Sequence, residues 1–445
     1  MERSPLFGAN WNNGSNAGSR ASNWNNAPSN SNSNISARGV SDDRQSIRRR
    51  GYGPSGRPLK LWSAIPCLLR ETHIRVCETG RSAAKANIET CARHLLTGRT
   101  SNRDAILAKK HRNLIAQIIA PENFERAYRK AAKGRRSAAG YLHFKEQDAA
   151  LLSKLRRGIQ EKTYTPGAPR EFWVHEPKPR PISADPFRDR VVQHALCNII
   201  APIFEAGMMP QSYACRKGRG AHSGAVHTQA LIRRMQNATG RRIYALKTDF
   251  SKYFYSIQRP TLWKLIDAKV TCKHTRWLIE RFTAREGTGV LIGRLTSQLW
   301  GGVYGTSIDR FLAQTVKTSA FVRYMDDLVI LSPDYRYLHE LRSRLGEHCY
   351  RTLGLTFSKW NVAPVEAGVN FLGYRIFPGY KLLRKDSVQR ARRKIISYTR
   401  AGDVNALRKF LAAWIGHAQW ADSRNLIESL SRTQRAILEE RYVLA

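Results

Sequence analysis

An α+β fold is the class this sequence predicts, and three observations predict it. Two apolar runs, Ala320–Arg323 and Leu328–Leu331, flank Tyr324-Met325-Asp326-Asp327 in the pattern of a β-hairpin with a pair of aspartates at its turn. A third apolar run, Ile243–Thr248, reads as a strand that ends on Asp249. On either side of this strand-rich middle, apolar residues recur at helical spacing.

Taken in chain order, the first 35 residues are a different material. Ten asparagines and six serines lie between Asn10 and Asn34, and Asn10-Trp11-Asn12-Asn13 recurs as Asn23-Trp24-Asn25-Asn26. With no apolar periodicity, residues 1–35 are expected to be a disordered, Asn/Ser-rich segment. Residues 36–112 mix Gly, Pro and Arg with short apolar stretches and read as a basic linker or spacer, or else as an RNA-binding extension. Order is expected from Leu114. Leu114, Ile115, Ile118 and Ile119 predict a helix broken by Pro121, Phe124–Ala132 a second, and Ala149–Leu155 a third, ended by Gly158. Phe172–Val174 reads as a strand and Arg188–Phe204 as a long amphipathic helix. Leu299–Phe311 is expected to lie beneath the hairpin. Val388–Arg400, Ala406–Trp414 and Arg424–Leu438 predict three C-terminal helices, in a segment taken as 384–445 against 113–383 for the preceding domain.

The aspartates carry the chemistry. Adjacent carboxylates at a tight turn repel each other, and such a pair is tolerated when a divalent cation neutralises it. Asp249, Asp326 and Asp327 brought to one set of strand ends would hold two Mg²⁺ ions about 4 Å apart, one for an attacking and one for a leaving oxygen. A bare Asp-Asp pair is more often a solvated turn. The hairpin setting and the upstream Asp249 make that reading improbable here.

Several segments resemble one family. Lys247–Phe254 resembles the first aspartate motif of the reverse transcriptases and Tyr324–Asp327 their second. Leu353-Gly354-Leu355 through Lys359, and Phe371–Tyr374, resemble the two motifs that close the palm. Ser212–Gly220 resembles the fingers segment of bacterial, non-viral members. The resemblance covers about three quarters of the chain, from Leu114 onward. It implies a right-hand polymerase with fingers, a palm built on an antiparallel sheet, and a short helical thumb. It implies an RNA-directed DNA polymerase that uses two Mg²⁺ ions, deoxynucleoside triphosphates, a template RNA and a primer extended as cDNA.

The resemblance also assigns residues. Asp249 and Asp326 are metal ligands, Asp327 assists, and the backbone carbonyl of Phe250 joins them. Phe254 is expected as a steric gate against a 2′-hydroxyl, with a plain core aromatic as the alternative. Lys178 and Arg180, kept extended by Pro177, Pro179 and Pro181, are expected to clamp the triphosphate, Arg180 ahead of Lys178. Lys359 stands near the pyrophosphate, as general acid or as phosphate contact. Arg216, Lys217 and Arg219 suit template-backbone contact, with Tyr213 nearby to stack on bases.

One motif discriminates within the family. Where most reverse transcriptases carry Gln-Gly and then Ser-Pro, this chain has Ile292-Gly293 and Ser297-Gln298. That pattern is similar to the class found in diversity-generating retroelements. An apolar Ile292 removes a polar contact from the floor of the nucleotide pocket, and selectivity that rests on a buried hydrogen bond is lost with its partner. Error-prone copying opposite template adenine is what the resemblance then implies, with a small basic accessory protein as partner. The Asn-rich repeats resemble the variable region of that class's target proteins, so residues 1–35 read either as translated template repeat or as a plain leader. A group II intron or retron reverse transcriptase, and a non-catalytic RNA-binding protein, are the other readings.

Composition sets outer limits. Lys and Arg exceed Asp and Glu by 17 to 6 over residues 36–112 and by 56 to 27 over residues 113–445, within a net charge of +41. An excess spread so widely points to a polyanionic partner. No run of about 18 apolar residues is present, so membrane insertion is not expected. The seven cysteines are scattered without a CxxC pair, which fits a reducing cytoplasm better than a zinc site or disulfide framework; the resemblance implies a bacterial, archaeal or phage-encoded chain.

Overall fold

The computed structural model describes residues 110–175 and 179–443. The Asn/Ser-rich segment, the basic stretch up to residue 109, and Lys178 lie outside the described residues. The first helices of the described residues are α1 (Leu114–Ile119) and α2 (Pro121–Ala132). Pro121 separates them because it lacks an N–H to continue α1 but fits the first position of α2. Next come α3 (Ala139–Lys145) and α4 (Asp148–Gln160). Gly158 does not end α4 as expected. It lies in the last turn, and its carbonyl accepts the backbone N–H groups of Thr163 and Tyr164 as the chain leaves. The hairpin β1 (Arg170–Val174) and β2 (Arg180–Ala184) follows, then the long α5 (Phe187–Glu205) and α6 (Ala221–Thr239).

The centre is built next: β3 (Tyr244–Phe250), the single turn α7 (Tyr253–Ser256), α8 (Arg259–Lys269), α9 (Lys273–Glu280), α10 (Leu295–Tyr304) and α11 (Thr306–Arg310). The helix expected at Leu299–Phe311 starts four residues earlier and is interrupted at Gly305. It then runs into a π-helical turn, Phe311–Thr315. The hairpin β4 (Phe321–Tyr324) and β5 (Asp327–Ser332) leads to α12 (Tyr335–Leu353) and β6 (Phe357–Pro364). A small antiparallel sheet of β7 (Val369–Phe371), β8 (Tyr374–Ile376) and β9 (Lys381–Leu383) precedes three helices, α13 (Lys385–Ala401), α14 (Val404–Ala418) and α15 (Arg424–Val443).

The central sheet has the order β4-β5-β3-β6, antiparallel throughout. Its two faces belong to two cores. Leu246, Phe250, Phe321, Leu328 and Ile330 pack with helices α1, α2, α5, α8, α10 and α12 on one side. Ala245, Val322, Tyr324, Val329 and Leu331 pack with α6, the small sheet and α13–α15 on the other. Coverage on both faces explains why β4 and β5 read as unbroken apolar runs instead of alternating ones, since every side chain has a dry neighbour whichever way it points. This is an α+β arrangement, a four-stranded antiparallel sheet with a smaller sheet and three helices following it. Among the described residues no helix is long and apolar enough to cross a membrane.

Candidate active site

The aspartates meet at one end of the central sheet. Asp249, near the end of β3, is the direct cross-strand partner of Asp327, the first residue of β5. Directly opposed residues in an antiparallel pair have Cα atoms about 5 Å apart and point to the same face. Asp326 occupies the turn beside them. Tyr324 and Asp327 close the β4–β5 ladder, so the turn is only Met325-Asp326. The sequence reading put both aspartates in the turn; only Asp326 is there. The left-handed position belongs to Met325, with φ 54°. A non-glycine residue there costs about 1–3 kcal/mol and persists where packing over-determines it. Met325 is 3 % exposed in the second core.

Beneath the turn sits a group that sequence reasoning missed. Arg323, 0 % exposed, donates Nε and Nη2 to the two oxygens of Asp309 at 2.7 Å each. It also donates to the Met325 carbonyl at 3.1 Å and to Ser212 Oγ at 3.1 Å. One buried ion pair thus ties the strained turn to α11 and to the loop ahead of α6. Nothing in the spacing of Asp309 and Arg323 along the chain announces the pair.

Above the turn the charge is less well balanced. Burial first, then the Asp327 and Asp249 charges, push the Asp326 carboxyl up to about 6. Asp327 is also raised, chiefly by burial and further by Asp249, while Lys247 holds it back through an ion pair of 3.2 Å. Lys247 lies two residues before Asp249 on the same face of β3, a neighbour legible from strand alternation. Ser358 donates its Oγ to the Asp249 Oδ2 at 3.2 Å and to its carbonyl at 3.1 Å. Arg384, just ahead of α13, adds a positive field at Asp327, and Arg180 adds one at Asp326. Lys247, Ser358 and Arg384 were not singled out from sequence.

The other expected residues are placed as follows. Phe250 points its ring away from the aspartates against Phe357, centroids 5.0 Å apart, which leaves its backbone beside Asp249 where the register with β6 shifts. Phe254, half-buried in α7, rests against Gly301 of α10, where an added Cβ would meet its ring at 3.2 Å and the Met325 sulfur at 3.1 Å. Lys359 is exposed and is the cross-strand partner of Asp249 on β6. Arg180 is half-buried on β2.

The loop carrying Ile292 and Gly293 docks on that same strand. The Ile292 carbonyl accepts the Ser183 N–H at 2.8 Å. Gly293 has φ 118°, and a Cβ there would strike the Ser183 carbonyl, so this position needs glycine twice over. Arg294 then joins Asp185 at 3.0 Å, locking the loop to the β1–β2 hairpin. Ser297 and Gln298 are 2 % and 6 % exposed inside α10, with the Cys215 thiol 3.7 Å from Gln298 Oε1. They shape the neighbourhood from within instead of presenting open surface.

The fingers-type loop departs from its reading. Arg216 directs its guanidinium to the carbonyls of Met209 and Ser212 at 2.8 Å. Arg219 bonds the Pro210 carbonyl and lies over the Tyr213 ring at 5.1 Å. Both cations brace the loop. Tyr213, 2 % exposed, has no face open for a base. Lys217 is exposed.

The donor set around Asp249, Asp326, Asp327 and the Phe250 carbonyl is all hard oxygen, which suits Mg²⁺. Burial, and after it the charges of Asp327 and Asp249, raise Asp326, the situation a bound cation relieves. Among the described residues, however, no three His, Cys, Asp or Glu side chains are gathered into a ready-made ligand cluster, and Lys247 occupies one oxygen of Asp327.

Residues 173–376 match the family described as reverse transcriptase (RNA-dependent DNA polymerase). The chain is 22 % identical over 216 residues to the group II intron-encoded protein LtrA of Lactococcus lactis subsp. cremoris, and the same figures hold for strain MG1363. That alignment covers 46 % of this chain and 34 % of the relative, so the chain spans about a third of the curated relatives it matches. Among solved structures it is similar to a Candida albicans telomerase in complex with a fragment of telomeric RNA (12 % identity, 67 % of this chain, 60 % of that one, TM-score 0.38). It is also similar to an apo telomerase from Candida tropicalis (10 % identity, 62 % of each chain, TM-score 0.39). Asp249, Asp326 and Asp327, at neighbouring strand ends, all fall inside the segment that matches the reverse transcriptase family.

Proposed function

We propose that this chain is an RNA-directed DNA polymerase that copies a template RNA into cDNA from deoxynucleoside triphosphates. The observation that carries the proposal is the register of the sheet: Asp249 and Asp327 are cross-strand partners, with Asp326 on the adjoining turn, inside a reverse transcriptase domain. Asp249, Asp326 and the Phe250 carbonyl would hold two Mg²⁺ ions, with Asp327 orienting them. When bound, such ions supply activation of a primer 3′-hydroxyl and neutralisation of pyrophosphate charge. The protein's own groups do the rest. Ser358 fixes the Asp249 carboxylate by its hydrogen bond. Arg323 fixes the turn through the Met325 carbonyl. Phe254 walls the space beside the aspartates and limits the sugar that enters. Arg180, whose field reaches Asp326, draws in the triphosphate, and exposed Lys359 faces the same side as Asp249.

We further propose that the enzyme belongs to a diversity-generating retroelement, copies adenines with errors, and works with a small basic accessory protein. Ile292 supports this reading, because its position beside β2 offers an apolar side chain where other members offer an amide. The test is sequencing of cDNA made on a defined RNA with the neighbouring accessory protein added. Errors concentrated opposite adenine are expected, and Ile292→Gln should reduce them. Accurate copying at adenine would transfer the assignment to the group II intron class, the second reading favoured by the Lactococcus relatives.

A further inference from the structure

The side of the central sheet turned away from the aspartates carries a feature that polymerase chemistry does not use. Residues paired across β3 and β6 point to the same face. Asp249 pairs with Lys359 and Thr248 with Trp360, so Lys359 and Trp360 project to opposite faces. On Trp360's face, six side chains form one continuous row. Arg242 lies over the Tyr244 ring at 5.8 Å, and Tyr244 meets Tyr335 edge to face at 5.4 Å. Tyr335 meets His339 at 4.6 Å, His339 meets Trp360 at 5.6 Å, and Arg342 covers Trp360 at 4.4 Å. Tyr335, His339 and Arg342 are spaced four and three residues apart, so they line one edge of α12.

This row is open. Trp360 is 44 % exposed and Tyr335 45 %. Scattered exposed aromatics are ordinary, but a contiguous run of rings with an arginine at each end is not. Ser358, Lys359, Trp360 and Asn361 are all exposed, and among the described residues β6 has no further neighbour in the sheet. The edge therefore offers a path from the catalytic face to the row.

We propose that Arg242, Tyr244, Tyr335, His339, Trp360 and Arg342 form a binding track for single-stranded nucleic acid, separate from the catalytic face. Alternating rings and cations match alternating bases and phosphates: bases stack on Trp360 and Tyr335, and the arginines neutralise the backbone. Charge selects this occupant over a basic protein partner. The chain carries +41 overall, and α12 holds Arg336, Arg342, Arg344 and Arg351 against Glu340 and Glu347. Glu366, a carboxylate at one end of the row, is ion-paired to Arg242 at 3.4 Å. A basic partner would meet like charge at both ends of the track.

The test is ultraviolet cross-linking of the full-length protein to a single-stranded RNA, a single-stranded DNA of the same sequence, and an RNA duplex, followed by mapping of the linked peptides. Neither nucleotide nor Mg²⁺ is added, so the outcome is independent of whether polymerisation occurs. Cross-links at Trp360 or Tyr335 are expected with single strands and not with duplex. The two single strands show whether RNA or cDNA is the occupant. Trp360→Ala should remove those cross-links and weaken binding of a short single strand about tenfold, while Trp360→Phe retains both. Arg342→Gln should lower the slope of log affinity against log salt by about 1. Melting curves check that each variant folds. Wild-type protein without cross-links on this row overturns the proposal. So does equal binding by folded Trp360→Ala, or protection of the row by a protein partner instead of nucleic acid.

Discussion

The two sides of the Met325-Asp326 turn handle charge in opposite ways. Below it, Arg323 and Asp309 are both 0 % exposed, and the ion pair is closed by two bonds of 2.7 Å with further bonds to Met325 and Ser212. Above it, Asp327 pairs with Lys247 and feels Arg384, Asp326 has the field of Arg180, and Asp249 accepts one hydrogen bond from Ser358. A fold that can satisfy a buried guanidinium this fully has no difficulty pairing charges. The weaker compensation of the carboxylates above the turn is the feature on which the proposed cation site rests. Compensation below ties the turn to α11; the shortage above is what a cation would fill under the proposed function.

The largest effect is expected below the turn. Arg323→Met leaves Asp309 buried and unpaired and should destabilise the protein by about 3–5 kcal/mol in denaturant unfolding. Adding Asp309→Leu should recover part of that loss. If Arg323→Met alone unfolds like wild type, the lower half of the comparison fails.

Above the turn the sign reverses. Because the folded state raises the Asp326 carboxyl from its ordinary 3.8 to about 6, the contribution of this group to stability is fully present below pH 4 and is lost as pH rises through 6. Asp326→Asn stays neutral, so without divalent cations it should match wild type near pH 4 and exceed it at pH 7, by at most about 3 kcal/mol. Mg²⁺ should raise the melting temperature of wild type and leave that of Asp326→Asn nearly unchanged. A variant less stable than wild type at pH 7 without Mg²⁺ would mean the aspartates are compensated after all.

Smaller effects sharpen the boundary of the site. Gly293→Ala places a Cβ against the Ser183 carbonyl at a left-handed position, so a cost of about 1–3 kcal/mol is expected together with a raised KM for nucleotide. Lys247→Met removes a partly exposed ion pair and should change stability by less than about 1 kcal/mol. It should also raise the Asp327 carboxyl further, detectable by carboxyl titration in NMR. An effect of Lys247→Met as large as that of Arg323→Met would erase the contrast between the two sides.

How far these features could be read in advance follows from how local they are. The hairpin, β3 and the three final helices were legible because apolar pattern and turn chemistry lie within a few residues of each other. So was the meeting of Asp249 with the second motif, through resemblance. The Arg323–Asp309 pair was not, because its partners sit on different elements and buried charge leaves no periodic mark. The helices α6 and α12 were also passed over, as Arg and His interrupt their apolar stripes. Arg216 and Arg219 look like any basic loop in sequence, and only the fold reveals that their donors turn inward to Met209, Ser212 and Pro210. Met325 at a left-handed position could not be anticipated from residue preference, since its side chain, fixed between two elements, overrides it.

Primer extension on an RNA template, with wild type and Asp249→Asn side by side, tests the central claim most directly. Mg²⁺-dependent incorporation of deoxynucleotides by wild type, lost in a folded Asp249→Asn, is the predicted result. Wild type and variant equally inactive, with template, primer and accessory protein supplied, would contradict the polymerase assignment and leave a nucleic-acid-binding protein in its place.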